Sequence, residues 1–254
     1  MISSNSEKLI LKLPFGFRDI FPIESAERKN IEEIIRSEFL SWGYGEIKTP
    51  IVEFTENIAS GIGKNWKNKL ISFFDVDGSL ISLRADMTIP VARLSGMRVK
   101  ASQLPARFYY FANSFRQSPL QKGNKRVLNQ AGLELIGAGA INSDIEVLVI
   151  LINILKNLKI KDFRVAISHI GFIEGVSKWF KLSKNETTFL KEKIILKDLV
   201  SISQFLGSKD SKKAKAFIEF IKPDEEFSII SECCEIIKEK EVTESLNYLF
   251  KIFK

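Results

Sequence analysis

Residues 107–139 limit the fold of this chain more than any other stretch, because two strand-forming runs flank a polar loop there. The runs RFYYF, at 107–111, and QAGLELI, at 130–136, place bulky apolar side chains at spacings that a pleated, half-buried sheet accommodates. The loop SPLQKGN, at 118–124, supplies proline, glycine and asparagine, which favour turns. The sequence therefore predicts a long β-hairpin with a broad tip.

The second arm of this hairpin has one polar and one apolar face. Residues two apart on a strand point to the same side of a sheet. Gln130, Gly132 and Glu134 therefore share a face. The apolar residues of the other face are Ala131, Leu133 and Leu135. Two polar side chains that flank a glycine, with an apolar layer behind them, indicate the floor of a pocket.

Positive charge is concentrated in the same region. The chain has 38 Lys and Arg residues against 31 Asp and Glu residues, a net charge of +7. The stretch 87–133 has no acidic residue, and its cations are Arg93, Arg98, Lys100, Arg107, Arg116, Lys122, Lys125 and Arg126. A small anion, a nucleotide or an acidic partner surface would fit this charge equally well. A solvated basic loop is the simpler interpretation for Lys122 and Lys125, whereas Arg116 follows an aromatic strand and is the better candidate for an inward role.

The composition is that of an ordinary globular chain, with 254 residues and 45% hydrophobic content. No targeting signal is predicted, and the longest apolar run, at 147–155, is shorter than the ~20 residues needed to cross a bilayer. Cys233 and Cys234 are predicted to be reduced core thiols, since no CxxC pair or histidine cluster completes a zinc site. We therefore expect a cytoplasmic protein with no metal site and no cofactor.

A junction between a strand and a helix follows a second predicted hairpin, whose turn is Asp77-Gly78. Asp86 and Thr88 leave the second strand just before Pro90, a residue typical of a helix start. An acid and a hydroxyl two residues apart can aim together at a ligand, or they can cap the helix. For Thr88 alone, capping is the more common role.

The remaining pattern predicts an α+β fold, because helices and strands occur in runs instead of alternating. The other predicted elements are a helix at 25–41 closed by Gly43, a strand with Pro50, a helix at 143–158, a strand at 162–172 and helices from 176 onward. We predict two domains, 1–175 and a helical appendage at 176–254. His169 is the only histidine, and a structural hydrogen bond is its expected role more than general-base or metal chemistry.

Five sequence blocks within residues 13–175 resemble, in order and spacing, the catalytic core of the histidyl-tRNA synthetase family. They are LPFGFRDIFPIE, WGYGEIKTPIVEF, DVDGSLISLRADMTIPVAR, RFYYFANSFRQ and NQAGLELIGAGAINSDIEVL. The resemblance implies the class II aminoacyl-tRNA synthetase antiparallel β-sheet flanked by helices. Residues 25–54 match the first motif of that class, the usual dimer contact.

One block is similar to a particular branch of the family. Synthetases usually carry Glu-Gly-Thr where this chain has Asp86-Met87-Thr88, and the form found here resembles that of the regulatory subunits of ATP phosphoribosyltransferase, synthetase paralogues of histidine biosynthesis. The resemblance implies a histidine site. Asp86, Thr88 and Gln130 match positions that face the α-amino group, Arg116 matches the carboxylate partner, and Glu134 matches a position near the imidazole.

The same resemblance implies a regulatory chain. The Arg-Gly-Leu-Asp-Tyr-Tyr segment and the glycine-rich third motif of the synthetases are missing from a sequence that ends at Lys254. Without the cations of those motifs, adenylation loses its main electrostatic contribution. The expected partners are a separate catalytic ATP phosphoribosyltransferase chain in a hetero-oligomer, a second copy as a dimer, and histidine as effector.

Two other classes of function stay open at this point. A truncated histidyl-tRNA synthetase-like enzyme that activates an amino acid predicts ATP–pyrophosphate exchange with histidine. A tRNA-binding module predicts binding that weakens steeply with salt, and ranks last because the positive charge is confined to one stretch. No membrane partner is expected.

Overall fold

The computed structural model describes residues 12–62, 70–117, 125–139, 141–221, 236–237 and 239–253. The chain divides into two compact units, Met1–Asp162 and Phe163–Lys254. Residues 163–175, which the sequence assigns to the first domain, lie in the second unit by this division. The predicted domain boundary at 175 therefore stays a prediction.

The first unit contains helices and two small sheets. Its elements are α1 (Pro22–Ser41), β1 (Gly45–Glu46), β2 (Val52–Phe54), α2 (Thr55–Ile62), β3 (Ser72–Phe74), β4 (Leu80–Leu83), α3 (Thr88–Arg98), β5 (Ala106–Phe115), β6 (Val127–Ile136) and α4 (Ile141–Asn157). Helix α1 begins three residues earlier than predicted, because the fixed φ of Pro22 suits the first helical turn. Gly43 follows its end with φ +77°, in the left-handed region that was predicted for it.

The predicted long hairpin is confirmed. Strands β5 and β6 pair antiparallel over ten residues each, from Ala106 opposite Ile136 to Phe115 opposite Val127. Strand β1 adds to the other edge of β5 in parallel, so the sheet order is β1-β5-β6. The predicted tip at 118–124, with Lys122, lies outside the described residues.

The second predicted hairpin is confirmed as well. Strand β4 is the centre of a sheet of order β2-β4-β3, and all its pairings are antiparallel. Gly78 takes φ +83° in the turn, and the Asp77 carboxylate accepts a hydrogen bond from the Ser79 N–H at 2.8 Å. A positive φ is the backbone conformation that an Asp-Gly turn supplies without strain.

The two faces of the long hairpin are covered by different helices. Phe39 of α1 and Ile150 of α4 pack with Tyr109 behind the sheet. On the opposite face, Met87 and Val91, at the start of α3, pack with Tyr110. Consecutive tyrosines of one strand therefore anchor two separate cores, as the alternation of a strand requires.

The described part of the second unit is helical. Its helices are α5 (Ile170–Trp179), α6 (Lys184–Ile195), α7 (Leu199–Gly207), α8 (Ser211–Ile221) and α9 (Lys240–Phe253). They enclose a core that includes Val176, Leu206, Phe217 and Val242, all fully buried. Cys233 and Cys234 lie outside the described residues. Among the helices described in both units, none is long and apolar enough to span a bilayer.

The strand predicted at 162–172 is wrong. Residues 163–169 pair with no strand in the part of the chain that the structure describes, and α5 begins at Ile170. His169 has extended dihedral angles but serves as the N-cap of α5, where its Nδ1 accepts a hydrogen bond from the Gly171 N–H at 3.1 Å. The predicted structural hydrogen bond of His169 is confirmed, and it starts a helix where a strand was expected.

Candidate functional site

Asp86 and Thr88 lie where β4 leads into α3. The Asp86 Oδ1 accepts a hydrogen bond from the Thr88 N–H at 2.9 Å, so Asp86 satisfies a free donor of the first helical turn. The Thr88 hydroxyl instead donates across to Glu134 Oε1 on β6, at 2.9 Å. Capping, which the sequence attributes more readily to Thr88, is thus performed by Asp86, and Thr88 connects the junction to the hairpin.

The predicted polar face of β6 forms the opposite wall. Gln130, Gly132 and Glu134 lie directly across from Ala112, Tyr110 and Phe108 of β5. Gln130 Nε2 donates to the Tyr110 hydroxyl at 3.3 Å. The five side chains that gather here are Asp86, Thr88, Tyr110, Gln130 and Glu134, named below the acidic cluster.

Gly132 makes room for the tyrosine in this cluster. A Cβ built on Gly132 would lie 2.6 Å from Tyr110 Cζ and closer still to its hydroxyl oxygen. Tyr110 is 3% exposed, so moving its ring away from an added methyl group would disturb a packed interior. Sequence reasoning missed Tyr110 as a site residue. To predict Tyr110 as a site residue, one must know that it lies opposite Gly132, and this register is known only once the strands are paired.

The electrostatics of the acidic cluster favour a cationic ligand. Burial raises the pKa of Glu134, and the nearby Asp86 charge adds to the effect, while the hydrogen bond from Thr88 opposes it. Burial, followed by the charges of Glu134 and Asp86, also raises the pKa of Tyr110. The tyrosine hydroxyl therefore stays protonated at neutral pH. Gln130 Oε1 is buried and has no hydrogen-bond partner among the described residues.

Arg116 lies at the edge of the cluster. It follows the end of β5, its side chain is exposed, and its Nε donates to the carbonyl oxygen of Ala85 at 3.0 Å. That contact brings the guanidinium to the residue next to Asp86. All five residues predicted for histidine binding are thus associated with one region of the first unit, four within the cluster and Arg116 at its rim.

The basic stretch is less concentrated in space than in sequence. Arg93 pairs with buried Glu53 at 2.6 Å, and Arg107 pairs with Glu146 at 2.9 Å. Both acids lie outside the acid-free stretch. Folding thus supplies counter-charges from distant parts of the chain to these two of the eight cations, and one focused positive field stays a prediction for the others.

A wide groove of the first unit lies beside the acidic cluster and shares only Gln130 with the predicted residues. It has a volume of about 1320 Å³, and its walls include Phe17, Ile31, Phe111 and Leu128. Across the described residues, no group of three potential metal-ligating side chains could hold a metal ion.

Comparison with known proteins identifies the family. The family model described as "Histidyl-tRNA synthetase" matches residues 16–254. A relative from Moorella thermoacetica, named ATP phosphoribosyltransferase regulatory subunit, is 33% identical over 199 residues, which are 78% of this chain and 51% of the relative. A relative of the same name from Clostridium botulinum is 31% identical over 246 residues, 95% of this chain and 58% of the relative. The chain thus spans about half the length of these curated relatives.

Solved structures agree on the fold. The crystal structure of an ATP phosphoribosyltransferase regulatory subunit/histidyl-tRNA synthetase from Bacillus halodurans superposes with a TM-score of 0.86 at 26% identity, covering 97% of this chain and 65% of the other. Histidyl-tRNA synthetase from Nostoc gives 0.80 at 18% identity, covering 97% of this chain and 57% of the other, which supports the fold alone. The class II α+β fold expected from the sequence is confirmed. The chain belongs to the histidyl-tRNA synthetase family, and within that family it is similar to the ATP phosphoribosyltransferase regulatory subunits.

Proposed function

We propose that this chain is a non-catalytic regulatory subunit that activates a separate catalytic ATP phosphoribosyltransferase chain in the first step of histidine biosynthesis. The observation that carries the proposal is the acidic cluster, in a chain whose curated relatives bear the name of that regulatory subunit. Hydrogen-bond acceptors around a buried tyrosine are suited to bind the N–H groups of an amino acid reversibly. Reversible binding that differs between two states of an assembly is what regulation requires.

Free histidine is the effector that we propose for the cluster. Arg116, at the rim, has a planar guanidinium group that can form two parallel hydrogen bonds with the α-carboxylate of histidine. Asp86 and Gln130 offer acceptor oxygens to the α-ammonium group, and Glu134 offers one to a ring N–H. To transmit feedback inhibition, histidine must bind two states of the assembly with affinities that differ typically by about 1–3 kcal/mol.

Reconstitution with the catalytic chain tests the proposed function. We expect turnover of a purified short catalytic ATP phosphoribosyltransferase chain to rise when this chain is added, and to fall again when histidine is supplied. The matched control is this chain assayed alone, which we expect to form no phosphoribosyl-ATP. Unchanged turnover in the mixture would count against the proposal. ATP–pyrophosphate exchange by the chain alone would support amino acid activation instead.

We propose a dimer for the first unit, supported by an apolar face of the β2-β4-β3 sheet. Strand register places five apolar side chains on that face: Val52, Phe54, Phe73, Ile81 and Leu83. Phe54 is 57% exposed. Exposed apolar patches of this kind mark association surfaces, and a face without charge is suited to meet a second copy of itself across a two-fold axis.

Sedimentation velocity tests this dimer. We expect a mass near twice the 28.9 kDa of one chain for the wild type, and about 28.9 kDa for Phe54→Asp, because a carboxylate would be desolvated in the interface. Ile195→Asp is the matched control, since Ile195 is 79% exposed in the second unit. A monomeric wild type, or an intact dimer in Phe54→Asp, would exclude this face as the contact.

A further inference from the structure

The acidic cluster has more hydrogen-bond acceptors than donors to offer a ligand. Thr88 donates both its N–H and its hydroxyl within the cluster, to Asp86 Oδ1 and Glu134 Oε1. One amide hydrogen of Gln130 is directed to the Tyr110 hydroxyl, whereas Gln130 Oε1 is buried with no partner among the described residues. A buried acceptor without a donor costs about 1–3 kcal/mol. The ligand that relieves these acceptors must therefore be rich in N–H donors.

The charges lead to the same requirement. The charged group that acts on Glu134 is Asp86, from the junction before α3. At the rim, Arg116 of the β5 end donates its Nε to the carbonyl of Ala85, the neighbour of Asp86, and is the nearest cation to the proposed ligand carboxylate. Tyr110 of β5 is the other titratable group against Glu134, and it stays neutral. Two carboxylates and one guanidinium sum to −1. Zwitterionic histidine with a neutral imidazole adds nothing to that sum, so one unbalanced charge would remain in a partly buried site, which is costly.

We infer that histidine occupies this site with its imidazole protonated, so that one proton is taken up from solvent when histidine binds at a pH above the pKa of the free ring. The proton lies between a ring nitrogen and the Glu134 carboxylate, where it brings the site to neutrality and turns both ring nitrogens into donors. The two groups titrate as a pair. This inference rests on the proposed role of histidine as effector. It identifies the ligand class as an amino acid whose side chain is a cation with N–H donors only.

The sign of the pH dependence follows directly. Free imidazole has a pKa of about 6.5, and binding to the acidic cluster raises it. Affinity then falls by up to about tenfold per pH unit above that pH, until the pKa of the bound pair is passed. Higher pH would release the effector at constant histidine concentration.

Calorimetry of the full chain with histidine tests the inference, using phosphate and Tris buffers, whose protonation enthalpies differ widely. At about pH 8 we expect the binding enthalpies in the two buffers to differ by an amount that corresponds to uptake of nearly one proton. At about pH 5, in acetate and MES buffers, where the free ring is already protonated, we expect no proton uptake. Equal enthalpies in both buffers at pH 8, with binding retained, would overturn the inference and leave the effector role intact.

Glu134→Gln is the variant that separates charge from shape. It keeps the length of the side chain and removes one negative charge, so the site is neutral with ordinary zwitterionic histidine. We expect proton uptake at pH 8 to fall to near zero and the affinity to become independent of pH between about 7 and 8.5. Proton uptake unchanged from that of the wild type would overturn the inference. Absence of any binding heat in the wild-type chain would overturn both this inference and the effector site, whereas reconstitution with the catalytic chain would still report on activation.

Discussion

Gly132→Ala is expected to weaken histidine binding by about tenfold to a hundredfold, and to lower the free energy of unfolding by about 1–3 kcal/mol. The added methyl group would overlap the buried Tyr110 ring, with Cβ 2.6 Å from its Cζ. Tyr110 would have to move, and its hydroxyl would leave the Gln130 amide, to which it is bonded at 3.3 Å. Calorimetric titration with histidine and urea unfolding measure the two effects.

Gly96→Ala provides the matched control for this prediction. Gly96 lies in α3, and a Cβ built there meets nothing within 4 Å. Alanine in a helix stabilises relative to glycine by about 0.5–1 kcal/mol, so this variant should gain slightly in stability and bind histidine as the wild type does. Wild-type affinity in Gly132→Ala would show that the close approach of Tyr110 to the β6 backbone is not needed for the site.

Arg84→Ala is expected to cost the first unit about 3 kcal/mol or more. The Arg84 side chain is 7% exposed, and its guanidinium donates to three backbone carbonyls: Nε to Asn113 at 2.8 Å, and Nη1 to Thr49 at 2.9 Å and Pro50 at 3.3 Å. Burial lowers the pKa of Arg84, and the charge of Glu53 opposes that effect. Removing the donor leaves the buried Thr49 carbonyl unpaired, at about 1–3 kcal/mol, and two partly buried carbonyls must be hydrated instead.

This arginine also holds the two sheets together. Its own N–H donates to the Ile51 carbonyl, and its carbonyl accepts from the Phe115 N–H. Asp86 follows two residues later, so the loss should also weaken histidine binding. We expect the melting temperature to fall by roughly 6–12 °C, given about 2–4 °C per kcal/mol for domains of this size.

Arg98→Ala is the control for Arg84→Ala. It removes the same side chain from an exposed position at the end of α3, where surface substitutions usually change stability by no more than about 0.5 kcal/mol. Thermal unfolding followed by circular dichroism compares the two variants with the wild type. Equal melting temperatures for Arg84→Ala and Arg98→Ala would mean that water hydrogen-bonds to the carbonyls of Thr49, Pro50 and Asn113 when the Arg84 side chain is absent.

Features that depend on near neighbours in the chain were predictable from the sequence. The alternation on β6 assigned Gln130, Gly132 and Glu134 to one face, and the Asp77-Gly78 pair marked a turn that the structure contains. The family resemblance predicted that Asp86 and Thr88 share a site with Gln130 and Glu134, and Thr88 does contact Glu134. These predictions succeed because side-chain alternation and turn conformation are set within a few residues.

Features that depend on long-range contacts were decided by the tertiary structure alone. The segment before His169 has strand-like composition but no strand to pair with among the described residues, so its histidine caps a helix. Tyr110 belongs to the site because strand pairing places it opposite Gly132. The charge of Arg93 is balanced by buried Glu53, with which it forms an ion pair. The sequence by itself determined the hairpins, the polar face and the family. Only the folded chain decided which groups meet, because pairing and charge compensation join residues that are distant in the sequence.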